Sequence, residues 1–139
     1  MTKVDFYVLD SQDLDQRKRF ACRLADKVFK QGHRIYIHTD DETSAREMDE
    51  LLWSFQPQSF LPHSLLGGED DEKVAIGWQA DPAHHNDVMI NLGLSVPEFV
   101  GRFNRVTEVV ITLPEIRDPL RASYKYYQDR GYPLDKHDL

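Results

Sequence analysis

Two strand-like runs, each followed by a helical pattern, fill the first 55 residues and restrict what the chain can fold into. Residues 4–9 (VDFYVL) are β-branched and aromatic, as a buried strand requires. After a polar turn over residues 10–13, the pattern over 14–31 places Phe20, Ala21, Leu24, Ala25 and Val28 on one helix face, and Gly32 stops it. Residues 34–38 (RIYIH) make a second short strand and Thr39-Asp40-Asp41 a turn. A helix over 43–55 follows, with Ala45, Met48, Leu52 and Phe55 inward. Parallel strands need a long crossover, and a helix between two strands supplies one, so this alternation predicts a parallel sheet covered by helices.

The rhythm breaks at residues 56–73, a long connection holding Pro57, Pro62, Gly67-Gly68 and an acidic run over 69–72. Connections of this length are uncommon in compact domains and are often functional. Strand character resumes at 74–78 (VAIGW) and 88–92 (VMINL), with a polar loop over 80–87 between them. Residues 97–102 read as a short helix that turns Phe99 and Phe103 inward, and 106–113 (VTEVVITL) as the strongest β-branched strand. A last helix opens at Asp118-Pro119 and stops at Arg130-Gly131, where Pro133 blocks continuation and a short charged tail, DKHDL, remains. With no repeat and no splitting linker, the expectation is one domain over residues 1–139. Its expected fold is a three-layer, Rossmann-like α/β domain with a mostly parallel sheet and helices on both faces.

Charge narrows the function. Lys and Arg number 17 against 24 Asp and Glu, a formal net charge of -7, so non-specific gripping of nucleic acid is disfavoured. Any basic patch must be local and aimed at something acidic. The single cysteine, Cys22, allows no intramolecular disulfide and falls in a helical pattern that buries it. The sequence shows no signal-like h-region and no apolar run of membrane-spanning length, which predicts a soluble, cytoplasmic protein.

Most chemistry is excluded by residue type. The first strand–helix turn, LDSQDLD, has no glycine and three aspartates, which would repel the pyrophosphate such a fold cradles there. No nucleotide site and no cofactor is therefore expected. His84-His85, with Asp81 and Asp87 nearby, lacks a third ligand at a familiar spacing, and adjacent imidazoles diverge, so no metal is expected. Asp40 and Asp41, at a strand's C-terminal end, leave open a small α/β enzyme, although helix capping favours carboxylates at the same place.

Two surfaces remain. In the last helix Leu120, Tyr124 and Tyr127 share one stripe while Arg121, Lys125 and Gln128 share the next. That pairing suits a short acidic peptide with a hydrophobic anchor, and it equally suits an ordinary amphipathic helix with solvated cations. Trp53 and Phe55, with 59–63 (SFLPH), gather bulky apolar residues at a helix end and the loop behind it. They serve either a satellite core or a protein interface.

The order and spacing of these segments resemble the chi subunit family of bacterial DNA polymerase III holoenzyme. The resemblance runs through FYVLD, DELLW (49–53), SFLPH, VAIGW, DVMINL, the EF-V-RF-RV-EVV block (98–110), Arg121 with YK-Y at 124–127, and GYPL. It implies a non-catalytic, Rossmann-like subunit of the clamp-loader assembly. It further implies two partners: the psi subunit, and the acidic C-terminal tail of single-stranded DNA-binding protein, which ends in Pro-Phe. The residues matching the tail site are Arg121, Tyr124 and Lys125, to which Gln128 is added from the same stripe. Trp53 and Phe60 match the aromatic pair of the psi surface, extended here to Pro62 and His63. A repair helicase binds the same surface in some relatives, which implies a second partner competing for it here. This chain departs from better-known relatives in its acidic 69–72 run and its charged tail.

Overall fold

Helix α1 (Leu14–Lys30) begins where the Asp13 side chain accepts from the Asp15 backbone N–H. It ends at Gly32, whose φ of 95° a residue with a Cβ adopts only under strain. Helix α2 (Glu42–Ser54) starts on Asp41, whose carboxylate accepts from Ser44 N at 2.7 Å. The computed structural model describes residues 1–56, 58–66, 72–79 and 81–139. Its strands are β1 (Lys3–Val8), β2 (Ile35–His38), β3 (His63–Leu65), β4 (Val74–Gly77), β5 (Val88–Asn91), β6 (Arg105–Val110) and β7 (Leu134–Asp138). A 3-10 turn, Glu98–Arg102, precedes β6, and helix α3 (Pro114–Asp129) precedes β7.

The seven strands form one sheet in the order β3-β4-β2-β5-β6-β1-β7, and every pairing is parallel. From β1 the chain runs through α1 and α2 towards the β3 edge, then returns strand by strand to the β7 edge. A right-handed crossover puts helices from opposite directions of travel on opposite faces. One core accordingly joins α1 and α2 to Ile35, Ile37, Val74, Ile76 and Ile90. The other packs α3 and the 3-10 turn on Val4, Phe6, Tyr36, Met89 and Val106. Alternating residues of each central strand thus face two apolar layers, and β4 and β5 are buried throughout.

Three expectations change. Helix α3 starts at Pro114, not at Asp118, so Pro119 lies inside it. Pro suits the first helical position, and Glu115 adds a carboxylate to the first turn, so Pro114-Glu115 outcompetes the later pair. The carbonyl of Glu115, deprived of an N–H by Pro119, belongs to an exposed residue that water can reach. The terminal DKHDL is not a loose tail: Leu134 and residues 135–138 form β7, which pairs with β1 from Val4↔Leu134 to Val8↔Asp138, and Leu139 N donates to Val8 O at 3.0 Å. The long connection contains β3, three residues held by β4. Gly67-Gly68 and the acidic residues 69–71 lie outside the described residues.

Candidate functional site

Parallel pairing of β7 with β1 leaves α3 standing above one strand and beside another, and a groove of about 510 Å³ opens between them. Its floor is apolar: Phe6 and Val8 from β1, Val110 and Ile111 at the end of β6, and Leu120 from α3. Tyr124 closes one end, its ring edge-on to Phe6 at a centroid distance of 5.0 Å. Cations line the rim, with Arg117 and Arg121 one turn apart on α3 and Lys136 across from them on β7. Arg117 donates to Asp118 at 3.1 Å and Lys136 lies 3.6 Å from Asp138, both as exposed pairs of little strength. Arg121 has no ion-pair partner among the described residues. The groove thus pairs an apolar floor with a cationic rim, chemistry suited to a ligand both aromatic and anionic.

Of the four residues expected on this helix, Arg121 and Tyr124 line the groove. Lys125 and Gln128 are exposed on α3 but not part of the lining. Two groove cations escaped the sequence reading. Arg117 stands four residues before Arg121 and belongs to the same helix face once the helix begins at Pro114. Lys136 joins only because β7 pairs with β1.

The reason α3 sits where it does is a buried polar knot at the strand C-termini. Tyr127, fully buried, donates its hydroxyl to Glu108 Oε2 at 2.7 Å, and Asn91 Nδ2 donates to the same oxygen at 3.0 Å. Burial pushes the Glu108 carboxyl up to about 7, against the two hydrogen bonds and the Arg17 charge. Arg17, from the first turn of α1, inserts beneath. Its Nε donates to Val109 O at 2.8 Å and its Nη1 to Leu92 O at 3.2 Å. Desolvation lowers its pKa, with Glu108 and Asp40 opposing. In nucleotide-binding relatives of this architecture the crevice beyond the strand ends receives phosphate; here a guanidinium and a carboxylate fill it.

Asp40 and Asp41, the alternative catalytic pair, are both engaged in structure. Asp40 Oδ2 accepts from Leu94 N at 3.0 Å, and Asp41 caps α2, its bonds to Ser44 holding the carboxyl below its ordinary value. His84 and His85 stack at 4.6 Å, and no cluster of three metal-ligating side chains occurs among the described residues. Cys22 is buried, its thiol pushed up to about 12 by burial, so it is a poor nucleophile.

A second surface lies at the other edge of the sheet. Trp53, on the last turn of α2, is 62% exposed, and Phe60 is 88% exposed. Pro62 is half-buried. His63 does not share their exposure: its side chain is buried, Nδ1 lies 2.8 Å from Leu61 O, and Nε2 lies 2.9 Å from Asp49 O. The Trp53 ring rests on it at 4.2 Å. His63 therefore ties the loop to α2 and lies beneath the exposed Trp53 ring, where the sequence had suggested a contact residue.

The family model described as "DNA polymerase III chi subunit, HolC" matches residues 1–135. DNA polymerase III subunit chi of Pseudomonas aeruginosa is 45% identical over 139 residues, covering 100% of this chain and 98% of that one. The subunit chi of Escherichia coli is 30% identical over 142 residues, with 97% of each chain covered. That of Haemophilus influenzae is 27% identical over 137 residues, covering 96% and 95%. A match along nearly the whole chain, on a parallel α/β sheet flanked by helices, has one consequence: the chain belongs to the DNA polymerase III chi subunit family.

Proposed function

We propose that the protein is a non-catalytic cytoplasmic adaptor of the DNA polymerase III clamp-loader assembly. In this reading it joins the psi subunit to the acidic C-terminal tail of single-stranded DNA-binding protein and contacts no nucleic acid itself. The observation that carries it is the groove between α3 and β7, apolar beneath and cationic at the rim in a chain of net charge -7. A tail ending in Pro-Phe places its aromatic ring against Phe6, Val110 and Leu120. Its aspartates and terminal carboxylate meet Arg117 and Arg121. Lys125 and Gln128 extend the contact beyond the groove. Several tails on one partner raise the effective concentration, so a modest affinity per tail is sufficient.

Psi, or a helicase competing with it, docks on Trp53, Phe60 and Pro62, large apolar surfaces that water otherwise covers. The test is a titration with a synthetic acidic peptide ending in Asp-Ile-Pro-Phe and with the same peptide lacking Phe. Saturable binding lost with the Phe is expected, weakened roughly tenfold by Arg121→Ala and weakened by added salt. Equal affinity for the two peptides would remove the groove assignment.

A further inference from the structure

The groove has a second wall that the helix pattern alone does not contain, and its chemistry belongs to β7. In parallel register Phe6 stands beside Lys136 and Val8 beside Asp138, so both β7 side chains leave the sheet on the same face as the groove floor. Lys136 lines the groove opposite Arg121 and is 55% exposed. Its contact with Asp138, at 3.6 Å between two solvated side chains, is too weak to hold it away from a ligand. Asp138 is 71% exposed and, just outside the groove lining, places a negative charge next to the cation.

We infer that Lys136 and Asp138 set the charge selectivity of the groove from the β7 side: Lys136 contacts a carboxylate of the bound peptide, and Asp138 limits how strongly an acidic peptide is held. The inference rests on the tail-binding reading above. A peptide lying between α3 and β7 with its ring on the floor has side chains directed to both walls. An acidic residue facing away from Arg117 and Arg121 therefore faces Lys136. Without a cation there, that carboxylate would lose water beside Asp138 with no opposite charge to replace it.

Peptide affinity at low and high salt, measured for Lys136→Ala, Lys136→Glu, Lys136→Arg and Asp138→Asn beside wild type and Arg121→Ala, decides the matter. Both β7 positions are exposed, and thermal unfolding of each of the four variants verifies its fold. Lys136→Ala is expected to weaken binding about threefold and Lys136→Glu about tenfold, with Arg restoring it and Asp138→Asn tightening it about twofold. The differences should shrink at high salt. Wild-type binding that Arg121→Ala weakens but Lys136→Glu leaves unchanged overturns the second wall while the tail-binding reading stands. No saturable binding by wild type overturns both.

Discussion

Glu108 is the residue whose chemistry most clearly departs from its ordinary state. It is wholly buried, accepts from Tyr127 and Asn91, and titrates near 7, above the 4.5 of an unfolded carboxyl. Between those values the folded chain binds a proton that the unfolded chain has released. The stability from protonated Glu108 is thus fully present below pH 4.5 and is lost as pH rises through 7. A shift of this size corresponds to about 3 kcal/mol. Glu108→Gln keeps an acceptor for Tyr127 and cannot ionise. Denaturant titrations from pH 5 to 8 should therefore show a smaller fall in its stability than in wild type's. An identical slope for the two proteins would mean that Glu108 does not titrate in this range. His63 makes a different point at the same scale. Its type and position in SFLPH suggested a contact surface, yet the structure buries it beneath the Trp53 ring, its ring nitrogens 2.8 Å and 2.9 Å from the Leu61 and Asp49 carbonyl oxygens.

At the scale of elements, α3 bears a local conflict. Pro119 offers no N–H to the Glu115 carbonyl, and Asp118 must hold a helical backbone before a proline, which is disfavoured. Pro119→Ala removes both costs and returns some entropy to the unfolded chain. The net expectation is a stabilisation of about 2 kcal/mol, read as a higher midpoint in chemical denaturation. A lower midpoint would mean that the half-buried ring contributes more packing than the helix loses. The helix nevertheless forms, because Ile116, Leu120 and Tyr127 are buried against the sheet, and tertiary burial outweighs one missing hydrogen bond. Strand β7 is the opposite example: a charged sequence with little strand propensity, ordered because β1 needs a partner on that side.

Across the whole molecule, the two proposed docking surfaces lie at opposite edges of the sheet and on opposite faces. The groove sits beside β7 under α3. Trp53 and Phe60 lie beside β3 on the side of α1 and α2. Six strand spacings separate the edges, roughly 29 Å at the usual interval. Nothing then obliges one partner to displace the other, as an adaptor requires. Tail-peptide affinity is expected to be the same, within about twofold, with and without psi bound. Trp53→Ala with Phe60→Ala should abolish psi capture while leaving peptide affinity intact. Mutual exclusion of peptide and psi in a competition titration would count against two independent sites.

What the sequence by itself determined was the part written in local pattern. The β-branched runs and the helical stripe of residues 14–31 specify parallel strands joined by helices, because burial on both faces selects their residue types. The glycine-free first turn argued against a phosphate cradle, and the cationic stripe pointed to Arg121 and Tyr124. The tertiary structure alone decided the rest. Lys136 faces the groove only through its register with Phe6, and Arg17 plugs the strand ends only because α1 crosses there. Glu108 departs from an ordinary carboxylate only because α1, β5 and α3 close around it. Such features depend on contacts between residues far apart in the chain, and no local pattern encodes which distant partner a charged side chain will meet.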